Sequence, residues 1–316
     1  MPQHFDWQSE EDNNWVVLPA VMGAVPRPRL WFTRLLILLA LSTALIALWR
    51  QTGQRVNDAT ANVRADILAA HDLTWQAVAQ NDIELFRAQL ARHDPAWVAT
   101  QERLLADGLI LDRAPFGLSL PPAGASSQAG ASDVQIAPDL QSAEVVVALA
   151  YAVSPEPGGA EMVSLRQTAF YRLDDHSWRL VSPERAFWGE WITRKSRLLT
   201  VIYPEHDQEV AVRLAADLEA TLAAICASLV DITCPVELRL ILRLETDPVS
   251  LVATTTPASL IVARNGLRRL TLPAPTLVGL PTDEASYHAL YQGYAAQLTL
   301  AIDNYLAEWA CCVPFR

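Results

Sequence analysis

The chain has 316 residues, 51% of them hydrophobic and 19% charged, which is enough apolar material for packed cores and unlike a disordered chain. Its net charge is −11, and almost all of that excess lies beyond residue 34. An acidic surface repels nucleic acid and anionic lipid, and no basic stripe with interleaved aromatics offsets it, so composition argues against nucleic-acid binding.

Residues 1–29 read as a tail in front of an apolar segment. Trp7 and Trp15 flank an acidic patch in FDWQSEEDNNW. Such a segment either folds onto a protein partner, with the two tryptophans as contacts, or stays a solvated tail. Pro26-Arg27-Pro28 argues against a helix running into the apolar segment from far upstream.

Leu30–Trp49 reads as a transmembrane helix. LLILLALSTALIALW carries no charge, and twenty helical residues reach about 30 Å, the thickness of a hydrocarbon core. Trp31 and Trp49 sit at its ends as interfacial aromatics, and Arg34 can snorkel to the headgroups. The long, partly acidic leader without an A-x-A site reads as a signal anchor, not a cleaved signal peptide. Arg27, Arg29 and Arg34 precede the segment, while Arg50, Arg55 and Arg64 follow it, so the positive-inside count is nearly tied. A lone signal anchor with a large C-terminal part is expected to keep the N-terminus in the cytoplasm and export the C-terminal part, anchored to the cell membrane by one pass.

The overall expectation is an α+β protein: one N-terminal transmembrane helix, a cone-shaped α+β domain over 57–190, and a second small α+β domain over 191–316. Residues 51–106 read as helices. Val63, Ile67, Leu68 and Val78 form a stripe, Asp82 caps the next helix, and Asp94-Pro95 opens a third. PFGLSLPP reads as a short strand and Ala123–Ser132 as a small-residue loop. SAEVVVALAYAVS, MVSLRQTAFYRL and SWRLVSP follow as strands, with Asp174-Asp175-His176 as a hairpin turn.

Further on, WITRKSRLLTVIYP reads as a strand and Asp207 to Val230 as a helix. VELRLILRL reads as a half-exposed strand. SLIVARNGLRRLTLP reads as a hairpin about Asn265-Gly266, and Thr282 caps a last helix running to about Trp309. Cys226 and Cys234 can form a disulfide after export or remain buried thiols. Cys311-Cys312 carries no motif.

QNDIELFRAQL after a first helix, then FYRLDDHSWRLVSPERAFWGE at the last strand, resembles nuclear transport factor 2-like (SnoaL-like) domains over residues 57–190. The resemblance implies helices closing over a curved sheet around a pocket. That fold serves enzymes and binding modules alike. Residues 191–316 resemble the region leading into the active helix of gluzincin-type, peptidase MA-like zinc peptidases. Where that family carries H-E-x-x-H, this chain reads His288-Ala289-Leu290-Tyr291-Gln292. Only the first histidine matches, so the resemblance implies a degenerate, pseudo-peptidase region.

Candidate site residues follow. His71 and Asp72 form a histidine–aspartate pair for acid–base work, although sequence neighbours on a helix point apart. Trp75 shares a helix face with His71, and Trp178, Trp188 and Trp191 cluster near the junction of the two domains. These residues line a ligand pocket or partner surface, or pack the domains together. No phosphate loop, nucleophile elbow or complete metal set is present, so no catalytic residue, cofactor or metal is assigned. The expected function is a membrane-anchored extracytoplasmic binding or scaffold protein, with the bilayer and a protein as partners. The alternatives are an enzyme using the cone pocket and an anti-sigma-like transmembrane regulator.

Overall fold

The computed structural model describes residues 28–121, 131–153, 161–228, 239–256, 258–262 and 267–312. Trp7, Trp15, Cys234 and the Asn265-Gly266 turn lie outside the described residues, as do most of loop 123–132 and the side chains of Trp31, Cys311 and Cys312. Two units emerge, Met1–Asp58 and Ala59–Arg316. Secondary structure is mixed helix and sheet.

The first helix, α1, runs unbroken over Pro28–Ala79. It is one helix where the sequence suggested a membrane segment followed by a separate domain helix. Nothing between them stops it: Gly53 costs only about 1 kcal/mol against alanine in a helix and meets no neighbour. Among the described residues, this is the one helix long and apolar enough to cross a membrane. From Leu35 to Trp49 it is exposed on every face, as with Leu39 and Trp49 at 61% and 84%. Beyond residue 59 its character changes. Ile67, His71, Thr74 and Ala77 are buried at helical spacing, which defines one packed face.

Asn81, at φ 51°, turns the chain out of α1. Asp82 then caps α2 (Ile83–Gln89) by accepting from the Leu85 N–H at 2.9 Å. Asp94 caps α3 (Pro95–Ala106) in the same way through Trp97 N–H. Both caps are where the sequence indicated.

An antiparallel sheet follows. Its strands are β1 (Leu118–Ser119), β2 (Ala131–Ile136), β3 (Ser142–Val153), β4 (Glu161–Asp174) and β5 (Ser177–Val181). β3 and β4 pair along twelve residues; β1 and β2 flank opposite ends of β3, and β5 flanks β4. Ala143, Val145, Val147, Leu149 and Tyr151 alternate inward along β3, the period-2 signature of a half-buried strand. The β4–β5 turn places Asp175 and His176 at φ 45° and 65°, the doubly left-handed geometry that matches strand twist. β2 was not anticipated, because its residues follow a loop of small side chains and its apolar content is slight.

α4 (Arg185–Trp188) leads into a second sheet of β6 (Trp191–Lys195), β7 (Leu199–Pro204), β8 (Leu240–Glu245), β9 (Ile261–Val262) and β10 (Arg268–Pro273). The order is β6-β7-β8-β10-β9, with a parallel centre and antiparallel edges. The segment Trp191–Pro204 is therefore a hairpin, not one strand, turning at Ser196–Leu198 without glycine or proline. Strand β8 is central and largely buried, not half-exposed, since helices such as α5 (Gln208–Ser228) carry the parallel crossovers. α6 (Val249–Ala253) and α7 (Pro275–Val278) are short connectors.

β11 (Leu280–Pro281) returns to the first sheet and pairs with β4. The last helix, α8 (Glu284–Cys312), is capped by Asp283, not Thr282: Asp283 Oδ1 accepts from Ser286 N–H at 2.8 Å, and Ser286 Oγ accepts from the Thr282 and Asp283 N–H groups. Thr282 Oγ instead donates to the Ser164 carbonyl on β4.

Among the described residues the larger apolar cluster runs from Ile67 through both sheets to Ile302, and a smaller one gathers Ala77, Phe86, Leu90 and Leu105. Two features tie the halves of the larger cluster. Arg113 is buried, its backbone N–H donates to Asp112 Oδ1, and its guanidinium donates to the carbonyls of Leu109, Asp112, Leu277 and Val278. Gly293 of α8 lies against the turn at Ala114–Phe116; a Cβ there would come within 2.6 Å of the Phe116 carbonyl oxygen.

Candidate functional site

Between the helices α1–α3 and strands β3–β5 lies a chamber of about 160 Å³. Its wall is aromatic: Trp75, Phe86, Trp97, Phe170, Tyr171 and Trp188 line it. No aspartate, glutamate, lysine or arginine is among the described residues lining it. α7 closes one side with Thr276 and Leu277.

His71 is buried there, at 3% exposure. Its Nδ1 lies 3.0 Å from the Tyr171 hydroxyl, and its ring sits 5.5 Å from that of Trp75. Burial holds the His71 imidazole down to about 4 despite the opposing pull of Asp72, and burial pushes the Tyr171 phenol up. Both are therefore neutral at physiological pH. They form an uncharged pair in which either partner can donate, depending on the histidine tautomer. Asp72 itself is exposed, so the acid suggested as partner to His71 points away, and Tyr171 takes that place.

Thr276 joins the chamber wall to a buried acid. Its Oγ donates to Asp207 Oδ1 at 2.5 Å, and Asp207 is only 1% exposed. Asp207 Oδ2 has no hydrogen-bond partner among the described residues. Burial raises this carboxyl to about 6 against the opposing pull of the Thr276 hydrogen bonds.

A second depression adjoins the chamber. It is a more open groove of about 440 Å³ that shares Trp97, Pro183, Trp188 and Pro248 with it. Its lining includes Arg185, Arg243, Glu245 and Asp247, together with Trp191. Arg243 stacks on the Trp191 ring at 4.3 Å and pairs with Glu245 at 2.8 Å.

The sequence candidates thus separate. His71 and Trp75 line the chamber, Trp188 lines chamber and groove, and Trp191 lines the groove alone. Trp178 is buried in the core and lines neither. Tyr171, Trp97, Thr276 and Arg243 were missed. Tyr171 was visible only as one inward position of an alternating strand, and its partner His71 is 100 residues away.

On α8, His288 is exposed and bonds Gln292 at 3.0 Å, while Ala289 is buried. Among the described residues, no three His, Cys, Asp or Glu side chains gather closely enough to hold a metal ion. Comparisons with known protein families, characterised proteins and solved structures return no match.

Proposed function

We propose that this chain is a membrane-anchored, extracytoplasmic binding protein whose chamber receives an uncharged aromatic or apolar group from a small ligand or a partner. The observation that carries this reading is the chamber wall itself: six aromatic rings, a neutral His71–Tyr171 pair, and no Asp, Glu, Lys or Arg among the described residues that line it. A wall without an opposite charge offers a charged guest only neutral hydrogen-bonding groups such as Gln101 and Gln167 for its lost hydration, whereas an apolar guest gains roughly 25 cal/mol for each Å² it buries. The likeness of residues 57–190 to nuclear transport factor 2-like domains points the same way, since that fold places a pocket under its helices. A binding role, not a catalytic one, agrees with a histidine held neutral without an acid partner and with the unmatched H-E-x-x-H positions on α8. The exposed apolar helix serves as the anchor.

The test is isothermal titration of the full chain in lipid nanodiscs, with empty nanodiscs as reference. Indole is expected to bind saturably at neutral pH and indole-3-acetate not to bind. Equal binding of the two contradicts the reading. For topology, a reporter active only outside the cytoplasm is expected to work when fused to the C-terminus; activity only at the N-terminus reverses the orientation.

A further inference from the structure

The groove beside the chamber has a different chemistry, and nothing in the chamber reading requires it. Trp191 is 38% exposed, a large exposure for an indole. The Arg243 guanidinium covers its ring at 4.3 Å, and Glu245 Oε2 accepts from Arg243 Nε at 2.8 Å. Glu245 Oε1 in turn accepts from the Thr246 N–H at 3.1 Å. A chain of contacts from backbone to carboxylate to guanidinium therefore fixes the plane of an exposed aromatic ring. Fixing the platform in advance lowers the ordering cost of whatever stacks on it.

Around that platform stand two cations and two carboxylates: Arg185, Arg243, Glu245 and Asp247. Their charges cancel, so the groove selects neither anion nor cation. It offers hydrogen-bond donors and acceptors in equal measure, on planar groups that can engage two neighbouring hydroxyls at once. At about 440 Å³ it falls within the usual range of ligand sites, roughly 300–1,000 Å³.

We propose that the groove lined by Trp97, Trp188, Trp191, Arg243, Glu245 and Asp247 binds an uncharged oligosaccharide. A pyranose has an apolar C–H face that stacks on an indole, and vicinal hydroxyls that both donate and accept. Those two features match a backed tryptophan and a balanced ionic rim. An all-proline peptide also stacks on tryptophans, but it has no N–H to donate, so Glu245 and Asp247 would gain nothing beyond the protein donors they already hold, Arg243 and Thr246 for Glu245 and the Val249 N–H for Asp247.

The experiment uses the full chain in nanodiscs, titrated with cellotriose, maltotriose and chitotriose while tryptophan fluorescence is followed. At least one trisaccharide is expected to give a saturable change. Trp191→Ala weakens that binding about tenfold or more, and Trp191→Phe, which keeps a smaller ring, weakens it about threefold. Glu245→Gln keeps the shape and also weakens it. Indole binding in the chamber is unchanged in all three variants, so failure of the groove and failure of the chamber are read separately. The proposal is overturned if none of the three sugars binds, if the Trp191 and Glu245 variants bind as the unaltered chain does, or if a decaproline peptide saturates the groove where the sugars do not.

Discussion

The two sheets of the folded unit solve the same packing problem differently. The parallel-centred sheet is filled: β7 and β8 are buried strands, and Leu214, Leu218 and Leu222 of α5 leave almost no exposed surface. The antiparallel sheet buries one face of β3 equally well but leaves a chamber where α1–α3 cross it. Close packing is the default of a protein interior, so a chamber lined by six aromatic rings departs from it, and the proposed binding role rests on that departure. On the proposed reading the two halves contribute differently, the antiparallel sheet a wall of the chamber and the parallel-centred sheet the groove residues Trp191, Arg243 and Glu245, provided they act as one body.

The largest expected effect tests that proviso. Arg113→Ala removes a guanidinium that satisfies carbonyls on both sides of the seam, Leu109 and Asp112 on one and Leu277 and Val278 on the other. It should cost about 4 kcal/mol, because buried carbonyls lose charge-assisted donors together. A single, lowered thermal transition in near-ultraviolet circular dichroism is expected. Two separate transitions would instead show the halves to be independent.

Next is pH, where the halves should oppose each other. His71 has its folded pKa depressed from 6.5 to about 4, so the stability it supports is present above pH 6.5 and lost as pH falls toward 4. Asp207 has its folded pKa raised from 3.8 to about 6, so its contribution is full below pH 3.8 and lost as pH rises through 6. Each amounts to about 3 kcal/mol, with opposite sign over nearly the same window. Denaturant melts of the unaltered chain should vary little between these limits on account of the two groups. Asp207→Asn should make the protein lose stability on acidification, and His71→Phe should make it gain. Parallel shifts in both variants would break the comparison.

Smaller still is Gly293→Ala. The added methyl meets the Phe116 carbonyl, and backbone on both sides resists movement, so about 2 kcal/mol of destabilisation is expected by chemical denaturation. An unchanged midpoint would mean that α8 lies farther from the first sheet than its contacts indicate.

Much of this was legible in the residues, and the reasons for the rest are physical. The alternation along β3, the caps at Asp82 and Asp94 and the Asp174–His176 turn are local signals, and local signals can be read from sequence. The continuity of α1 could not be read, because an all-apolar run and an amphipathic run were taken for separate elements although no breaker stronger than Gly53 divides them. The β6–β7 hairpin hid because Ser196-Arg197-Leu198 carries no glycine, proline, asparagine or aspartate, and a single serine is a weak turn signal. Arg113 looked like any surface base until residues some 165 positions away supplied its acceptors. The chamber drew its wall from α1, α2, α3, three strands and two short helices, so only His71, Trp75 and Trp188 of its lining were foreseen as candidates.

The most direct test of the chamber is the indole titration repeated on Ala169→Phe. Ala169 lines the chamber on β4, and a benzyl group there occupies the space an indole would use. With the variant's melting temperature shown to match that of the unaltered chain, indole binding should disappear. Undiminished indole binding by the filled variant would place the bound indole elsewhere and contradict the chamber as the receiving site.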